Sequence, residues 1–258
     1  MSTSPGPSAP LRTGLTAGVL TLTLDRPDKR NALDSALIGA LAGALERADL
    51  DPEVRVVALR GAGKDFCAGA DLRELLASAD QTPAENEASA RRLGDLFLAI
   101  RRLPKPVVAV VQGRALAGGA GLATACDLVL AGRGAQLGYP EIQRGFVPAM
   151  VMTILRRLAG ERAALDLVLT GRLLGAEEAR ALGLVSRVVA DEDLHRESEA
   201  LLRGLAGASA TALALTKRLF HQLDGLGFEE GIALGARVNA AARDTPDFRE
   251  AIARFLRG

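Results

Sequence analysis

No tryptophan, one tyrosine, two histidines and two cysteines appear among the 258 residues, and each scarcity removes a class of function. Zinc sites draw on clusters of Cys and His, so a metal centre is not expected. A chain of this length can bury roughly 70–75% of the surface its unfolded form exposes. It needs no disulfide framework, and Cys67 and Cys126 are expected as reduced, buried small hydrophobes. Charge of one sign is also lacking: 32 basic side chains face 31 acidic ones, for a formal charge of +1. Without a basic block either, no nucleic-acid partner is expected. The longest largely apolar stretch, Ala115 to Cys126, reaches only about two-thirds of a membrane span, so no membrane partner is expected. Residues 1–12 have neither a basic start nor an apolar core and read as a disordered leader rather than a secretory signal. The cytoplasm is the expected compartment. His195 and His221 lie in polar, helix-like surroundings and are expected at the surface.

What is present is alternation. Gly18 to Asp25 alternates apolar and polar residues at period two, as a half-buried strand does. Leu33, Leu37, Leu41 and Leu45 then recur at helical spacing, with Asp34 or Ser35 available as an N-cap. Val54 to Arg60 reads as a second strand, and Leu93 to Leu103 as a helix that Pro104 and Pro106 end. Val107 to Val111 is apolar throughout, as a strand buried on both faces should be. A helix is expected from Gly119 to Ala125 and a strand from Asp127 to Ala131. From Val151 onward nearly everything reads as helical. The pattern predicts an α/β core with a helical C-terminal section, one domain over 13–258, its core spanning 13–195 and its helical part 196–258.

Two small-residue segments each follow a buried strand. In Lys64-Asp-Phe-Cys-Ala-Gly-Ala-Asp-Leu72, Ala68, Gly69 and Ala70 let backbone N–H groups approach a ligand without an intervening side chain. Ala115-Leu-Ala-Gly-Gly-Ala-Gly-Leu-Ala123 opens a helix on glycines, offering unpaired donors and a positive dipole end to a developing oxyanion. Either segment alone also fits a tight turn or close helix packing. Neither is a P-loop, a dinucleotide fingerprint or a G-x-S-x-G elbow.

Arg26-Pro-Asp-Lys-Arg-Asn-Ala-Leu33, Phe66-Cys-Ala-Gly-Ala-Asp-Leu72, Gly113-Arg-Ala-Leu-Ala-Gly-Gly119, Cys126-Asp-Leu and Pro140-Glu141 together resemble the enoyl-CoA hydratase/isomerase (crotonase) superfamily. The resemblance continues in Leu169-Thr-Gly-Arg-Leu-Leu-Gly-Ala-Glu-Glu-Ala179 and Gly183-Leu-Val-Ser-Arg-Val-Val189. It implies a crotonase-like α/β spiral of ββα units with a helical C-terminal trimerisation region, assembled as a homotrimer or as a hexamer built from two trimers. It also implies an acyl-CoA substrate, with coenzyme A entering as part of the thioester and no separate cofactor. Carried over by position, the oxyanion hole is the N–H of Ala70 and the N–H of Gly118. Substrate contacts fall on Lys29, Arg30, Ala68, Asp71 and Leu72, and Phe255 and Arg257 reach toward a neighbouring subunit's site.

The chain departs from the family pattern at one telling place. Ala-Leu-Gly-Gly-Gly-Cys-Glu-Leu-Ala maps onto Ala115 to Ala123 and puts Gly121 where hydrating members carry their first glutamate. Glu141 matches the second. A carboxylate beside an apolar acyl pocket has its pKa raised by desolvation, which suits proton transfer. One such group can shuttle a proton between the α and γ carbons of a 3-enoyl thioester. Hydration asks it also to activate water, or asks a neighbour such as Tyr139 to orient that water. The pattern therefore tilts toward isomerisation over hydration. Met150 and Met152 read as acyl-pocket lining or as ordinary helix core. Asp71 and Glu74 are candidates to replace the missing carboxylate, Asp71 reading first as a structural hydrogen-bond acceptor after the oxyanion turn. The alternative function is a CoA-thioester-binding homologue with little or no turnover.

Overall fold

The computed structural model describes residues 9–257. Leu11–Thr16 (β1) pairs antiparallel with Val19–Leu24 (β2) across Ala17 and Gly18, which take φ values of 48° and 78°. Two positive φ angles are the geometry of a tight hairpin turn. Alanine does not advertise such a turn, so β1 is not legible in the sequence. It begins at Leu11, inside the stretch expected as leader, of which residues 1–8 lie outside the described ones.

Asp34 caps Ser35–Leu50 (α1) by accepting the Leu37 N–H at 2.8 Å, and the four-residue spacing buries Leu37, Leu41 and Leu45. The chain returns as Val56–Gly61 (β3), then forms Leu72–Ala77 (α2) and Pro83–Arg102 (α3). α3 starts well before the expected Leu93 because Thr82 and Glu85 make a capping box. Val107–Val111 (β4) and Arg114–Leu116 (β5) lead into Gly118–Ala125 (α4). Leu128–Gly132 (β6), Gln136–Gly138 (β7) and Ala149–Thr170 (α5) follow, α5 being broken at Gly160.

Leu173–Gly175 (β8) and Arg187–Val189 (β9) flank Ala176–Ala181 (α6) and correct the all-helical reading of the C-terminal half. Each strand has 3 residues, too few for alternation to show. Leu194–Gly207 (α7), Ala210–Gln222 (α8), Phe228–Arg243 (α9) and Pro246–Phe255 (α10) complete the chain.

The main sheet runs β1-β2-β3-β4-β6-β9, parallel from β2 onward, and a smaller one runs β5-β7-β8. Helices cover both faces of the main sheet. Val56, Ala58, Val108 and Val110 pack toward Leu194 and Leu202 of α7, whereas Val57, Leu59, Val107 and Ala109 join the larger core with Leu37, Leu96 and Leu122. That double cover is the physical reason for the unbroken apolar run in β4. Cys67 and Cys126 are free and buried, as expected.

α8 is fastened to the core by Lys217, whose ammonium donates to Ile100 O at 2.9 Å, Lys105 O at 3.1 Å and Asp127 Oδ2 at 2.6 Å. His195 is exposed, but His221 is half-buried with Nε2 3.9 Å from Asp127, a correction to its expected surface position. α8, α9 and α10 have no buried residue and leave Phe220, Phe228, Ile232 and Phe255 exposed. Among the described residues no helix is long and apolar enough to cross a membrane.

Candidate active site

The smaller sheet is widened by two isolated parallel bridges, Leu33 with Ala70 and Cys67 with Ala115. With β5 and β7 also parallel, successive segments deliver their chain exits to one edge. Such edges are where parallel α/β layers place ligand-binding loops. At this edge stand Ala70, then Gly118 at the start of α4, then the 3-10 turn Pro140–Arg144 that follows β7. The offset that pairs Cys67 with Ala115, carried on to Ala70, reaches Gly118.

The two segments meet closely because Gly69 has no side chain. It sits at φ +91°, and a Cβ there would stand 2.8 Å from both Ala117 Cβ and Leu116 O and 3.4 Å from Gly118 N. Neither the Ala70 N–H nor the Gly118 N–H has a backbone acceptor among the described residues, Gly118 being the first residue of its helix. The preceding Ala117 takes φ 52° and ψ −126°, a sparsely populated conformation for a residue with a Cβ. Its N–H donates to Gly138 O at 2.8 Å, tying the start of α4 to the end of β7.

Glu141 lies in the 3-10 turn at 8% exposure. Its Oε2 has no hydrogen-bond partner. Burial pushes the carboxyl above the usual carboxylate range, with a backbone N–H and Arg144 drawing it partly back. Tyr139 is wholly buried beside it; burial raises its phenol strongly, the Thr124 hydroxyl offsets this in part and the Glu141 charge adds to it. The Tyr139 hydroxyl has no partner in hydrogen-bond geometry.

The position of the absent first glutamate is filled by packing. A Cβ on Gly121 would stand 2.3 Å from Val151 Cγ1 and 2.9 Å from Phe97 Cζ. The two carboxylates considered as replacements are engaged elsewhere. Asp71 caps α2 by accepting the Arg73 N–H at 3.1 Å and pairs with Arg26 at 2.9 Å. Glu74 accepts the Ser35 N–H at 2.8 Å and the Ser35 hydroxyl.

Of the other expected contacts, Lys29 and Arg30 are exposed, and the Arg30 carbonyl accepts the N–H of half-buried Ala68 at 3.0 Å. Leu72 is exposed at the start of α2. Phe255 is exposed on α10, which packs on α8 and α9. Two residues of this turn stood in the quoted motif without a role of their own. Asn31 is buried at φ 56°, donating to Ala62 O at 2.9 Å and Asp65 O at 2.8 Å. Arg26 is the other. An asparagine followed by the apolar pair Ala32-Leu33 was the available signal for Asn31.

A cavity of about 990 Å³ opens between α3, α5 and α8, lined by Phe97, Leu98, Met150, Ile154, Leu213 and Phe220 among others. Phe97 thus belongs both to this lining and to the packing over Gly121. Met150 is a lining residue, whereas Met152 is exposed and is not. No cluster of three or more His, Cys, Asp or Glu side chains suited to a metal occurs among the described residues.

Comparison with known proteins places these features. The family model for enoyl-CoA hydratase/isomerase matches residues 14–257. A Thermus thermophilus protein whose name assigns it provisionally as an enoyl-CoA hydratase is 46% identical over 238 residues, covering 92% of this chain and 94% of its own. The 1,2-epoxyphenylacetyl-CoA isomerase of Escherichia coli is 33% identical over 243 residues, covering 93% and 92%. Among solved structures, an enoyl-CoA hydratase of Mycobacterium smegmatis superimposes with a TM-score of 0.92 at 36% identity, covering 96% of each chain.

Proposed function

The chain belongs to the enoyl-CoA hydratase/isomerase family, and from that premise we propose that it moves the double bond of an enoyl-CoA thioester from the 3 to the 2 position, with Glu141 as its only acid/base. The Ala70 and Gly118 N–H groups hold the thioester oxygen. The Glu141 carboxylate takes a proton from the α carbon, leaving a dienolate whose charge rests on that oxygen. The protonated Glu141 then gives the proton to the γ carbon and the double bond comes to rest between the α and β carbons. Atoms and charge balance without water, and the base is regenerated. Each oxyanion donor is worth about 10²–10³ in rate.

The observation that carries this reading is the space over Gly121, which Val151 and Phe97 occupy. No second carboxylate stands there to activate water. A buried carboxylate with one oxygen, Oε2, left without a partner argues against a purely binding role, because that burial is costly unless the group is used. One relative is named as an isomerase of an epoxy-acyl-CoA, and others as enoyl-CoA hydratases, so the direction rests on the packing over Gly121. No cofactor enters, coenzyme A arriving as part of the substrate.

The acyl tail passes Phe97 into the apolar cavity between α3, α5 and α8, whose size fits a medium-length chain. The exposed apolar faces of α8 to α10 serve assembly into a homotrimer or a pair of trimers. The two free thiols suit a reducing compartment such as the cytoplasm.

The test is steady-state turnover of matched 3-enoyl-CoA and 2-enoyl-CoA by the wild type and Glu141→Gln, with products identified by mass. Double-bond migration that Glu141→Gln abolishes, without wild-type water addition, is the expected result. Water addition dependent on Glu141 would make the protein a one-glutamate hydratase and overturn the proposal.

A further inference from the structure

Arg26 is half-buried and touches both sides of the Leu33–Ala70 bridge. Its Nη2 lies 2.9 Å from Asp71 Oδ2 and 2.9 Å from Asp34 Oδ2, and its Nη1 donates to Ala32 O. Its own N–H donates to Asn31 Oδ1 at 3.0 Å. Arg26 side-chain exposure is 18% and that of Asp71 14%, so this is a half-sheltered network rather than a solvated surface pair. Lys29 and Arg30, in the same turn, are exposed instead.

The peptides on either side of Ala70 are pinned. Leu33 N–H donates to Gly69 O at 2.8 Å, and Asp71 N–H donates to Leu33 O at 2.9 Å. The Ala70 N–H between them is therefore turned away from Leu33. Arg26 grips Asp71 on one side of this bridge and the Ala32 carbonyl on the other, so it clamps the pair of segments whose alignment sets that N–H.

We propose that Arg26 is a positioning residue for the thioester carbonyl: by clamping Asp71 and the Ala32 carbonyl together it fixes the aim of the Ala70 N–H, without itself touching the substrate. This rests on the acyl-CoA reading above. It also gives Asp71 a role distinct from substrate contact, as the handle by which Arg26 acts. A guanidinium suits the task because its planar fork reaches several acceptors at once, which a lysine ammonium on a flexible stem does not reproduce. A misplacement of about 1 Å at a reacting centre costs up to about 10²-fold in rate.

The experiment compares wild type, Arg26→Gln, Arg26→Lys, Asp71→Asn and the Arg26→Gln/Asp71→Asn double variant. The readouts are the infrared stretch of a ¹³C-labelled thioester carbonyl in bound, unreactive butanoyl-CoA, together with kcat, KM and the Kd of that ester. In the wild type the carbonyl stretch moves to lower frequency on binding. Arg26→Gln loses most of that displacement, its kcat falls about 10- to 100-fold, and Kd stays within about 3-fold. The double variant falls little below Arg26→Gln, since both single changes break one linkage.

Arg26→Lys and Asp71→Asn, which keep charge or shape, carry the comparison if Arg26→Gln does not fold. A full carbonyl displacement retained in the folded Arg26 variants overturns this proposal alone. So does a loss that appears only in Kd, which would make Arg26 a binding residue for the coenzyme A moiety. A wild type without the displacement removes the acyl-carbonyl reading, and the proposal with it.

Discussion

Phe97 occupies the room that a side chain on Gly121 would need, its Cζ lying 2.9 Å from where a Cβ would stand. The glycine and the phenylalanine come from different helices, α4 and α3, and the gap left by one is filled by the other. Val151 and Phe97 thus fill the space where a side chain at position 121 would stand.

Gly121→Glu alone should not restore a second catalytic carboxylate. Overpacking against Val151 and Phe97 costs about 1–3 kcal/mol, and a charge forced among apolar side chains adds to it. The expected outcome is a lowered denaturant midpoint and no gain in water addition to a 2-enoyl-CoA. Combining it with Val151→Ala and Phe97→Ala makes room on both sides, and water addition rising above that of the Val151→Ala/Phe97→Ala pair alone is the expected gain.

Glu141→Gln should reduce kcat by about 10²–10⁴ and remove the acid limb of the pH profile. Burial raises the folded-state pKa of Glu141, so the wild-type limb lies above the ordinary value of about 4.3, with activity rising as pH climbs through it. Stability runs the other way. A carboxyl whose folded pKa is raised stabilises most below its unfolded pKa, and that contribution is lost as pH rises through the folded one. Denaturant midpoints measured from acid toward neutral pH should therefore fall in the wild type relative to the Gln variant.

Ala117 holds φ 52° at the start of α4, where strain of about 1–3 kcal/mol is usual for a residue with a Cβ. Ala117→Gly should raise the melting temperature by roughly 2–4 °C, the shift that about 1 kcal/mol gives in a protein of this size. Ala117→Val should lower it, because β-branching worsens the same conformation. Thermal melts of the two variants against the wild type decide the point.

Lys217→Met should loosen α8. It strips the cation from Asp127, which keeps the Val107 N–H at 2.7 Å, and a donor from two backbone carbonyls, a loss of roughly 3 kcal/mol for an ion pair this sheltered. Amide hydrogen exchange should rise across α8 to α10 before it rises in the main sheet. Equal protection in the variant and the wild type would contradict the view of Lys217 as the fastening.

The alternation of β2, the unbroken apolar run of β4 and the leucine spacing of α1 were legible because period and burial are properties of a local segment. So were the two small-residue segments after strands, since glycine marks where backbone must approach closely, as Gly69 does. β1 was hidden by an alanine in a left-handed turn, and β8 and β9 by their shortness. Arg26 was hidden because nothing in a charged turn says which of its cations faces inward. The sequence by itself determined the family, the layered α/β class, the lone Glu141 and the glycine at 121, all of which are choices of residue at a position. Tertiary structure decided what fills the space over Gly121, which carboxylates are engaged elsewhere, and how far Glu141 is removed from water. These depend on contacts between segments distant in the chain, such as Phe97 on Gly121 and Arg26 on Asp71, and only packing brings such pairs together.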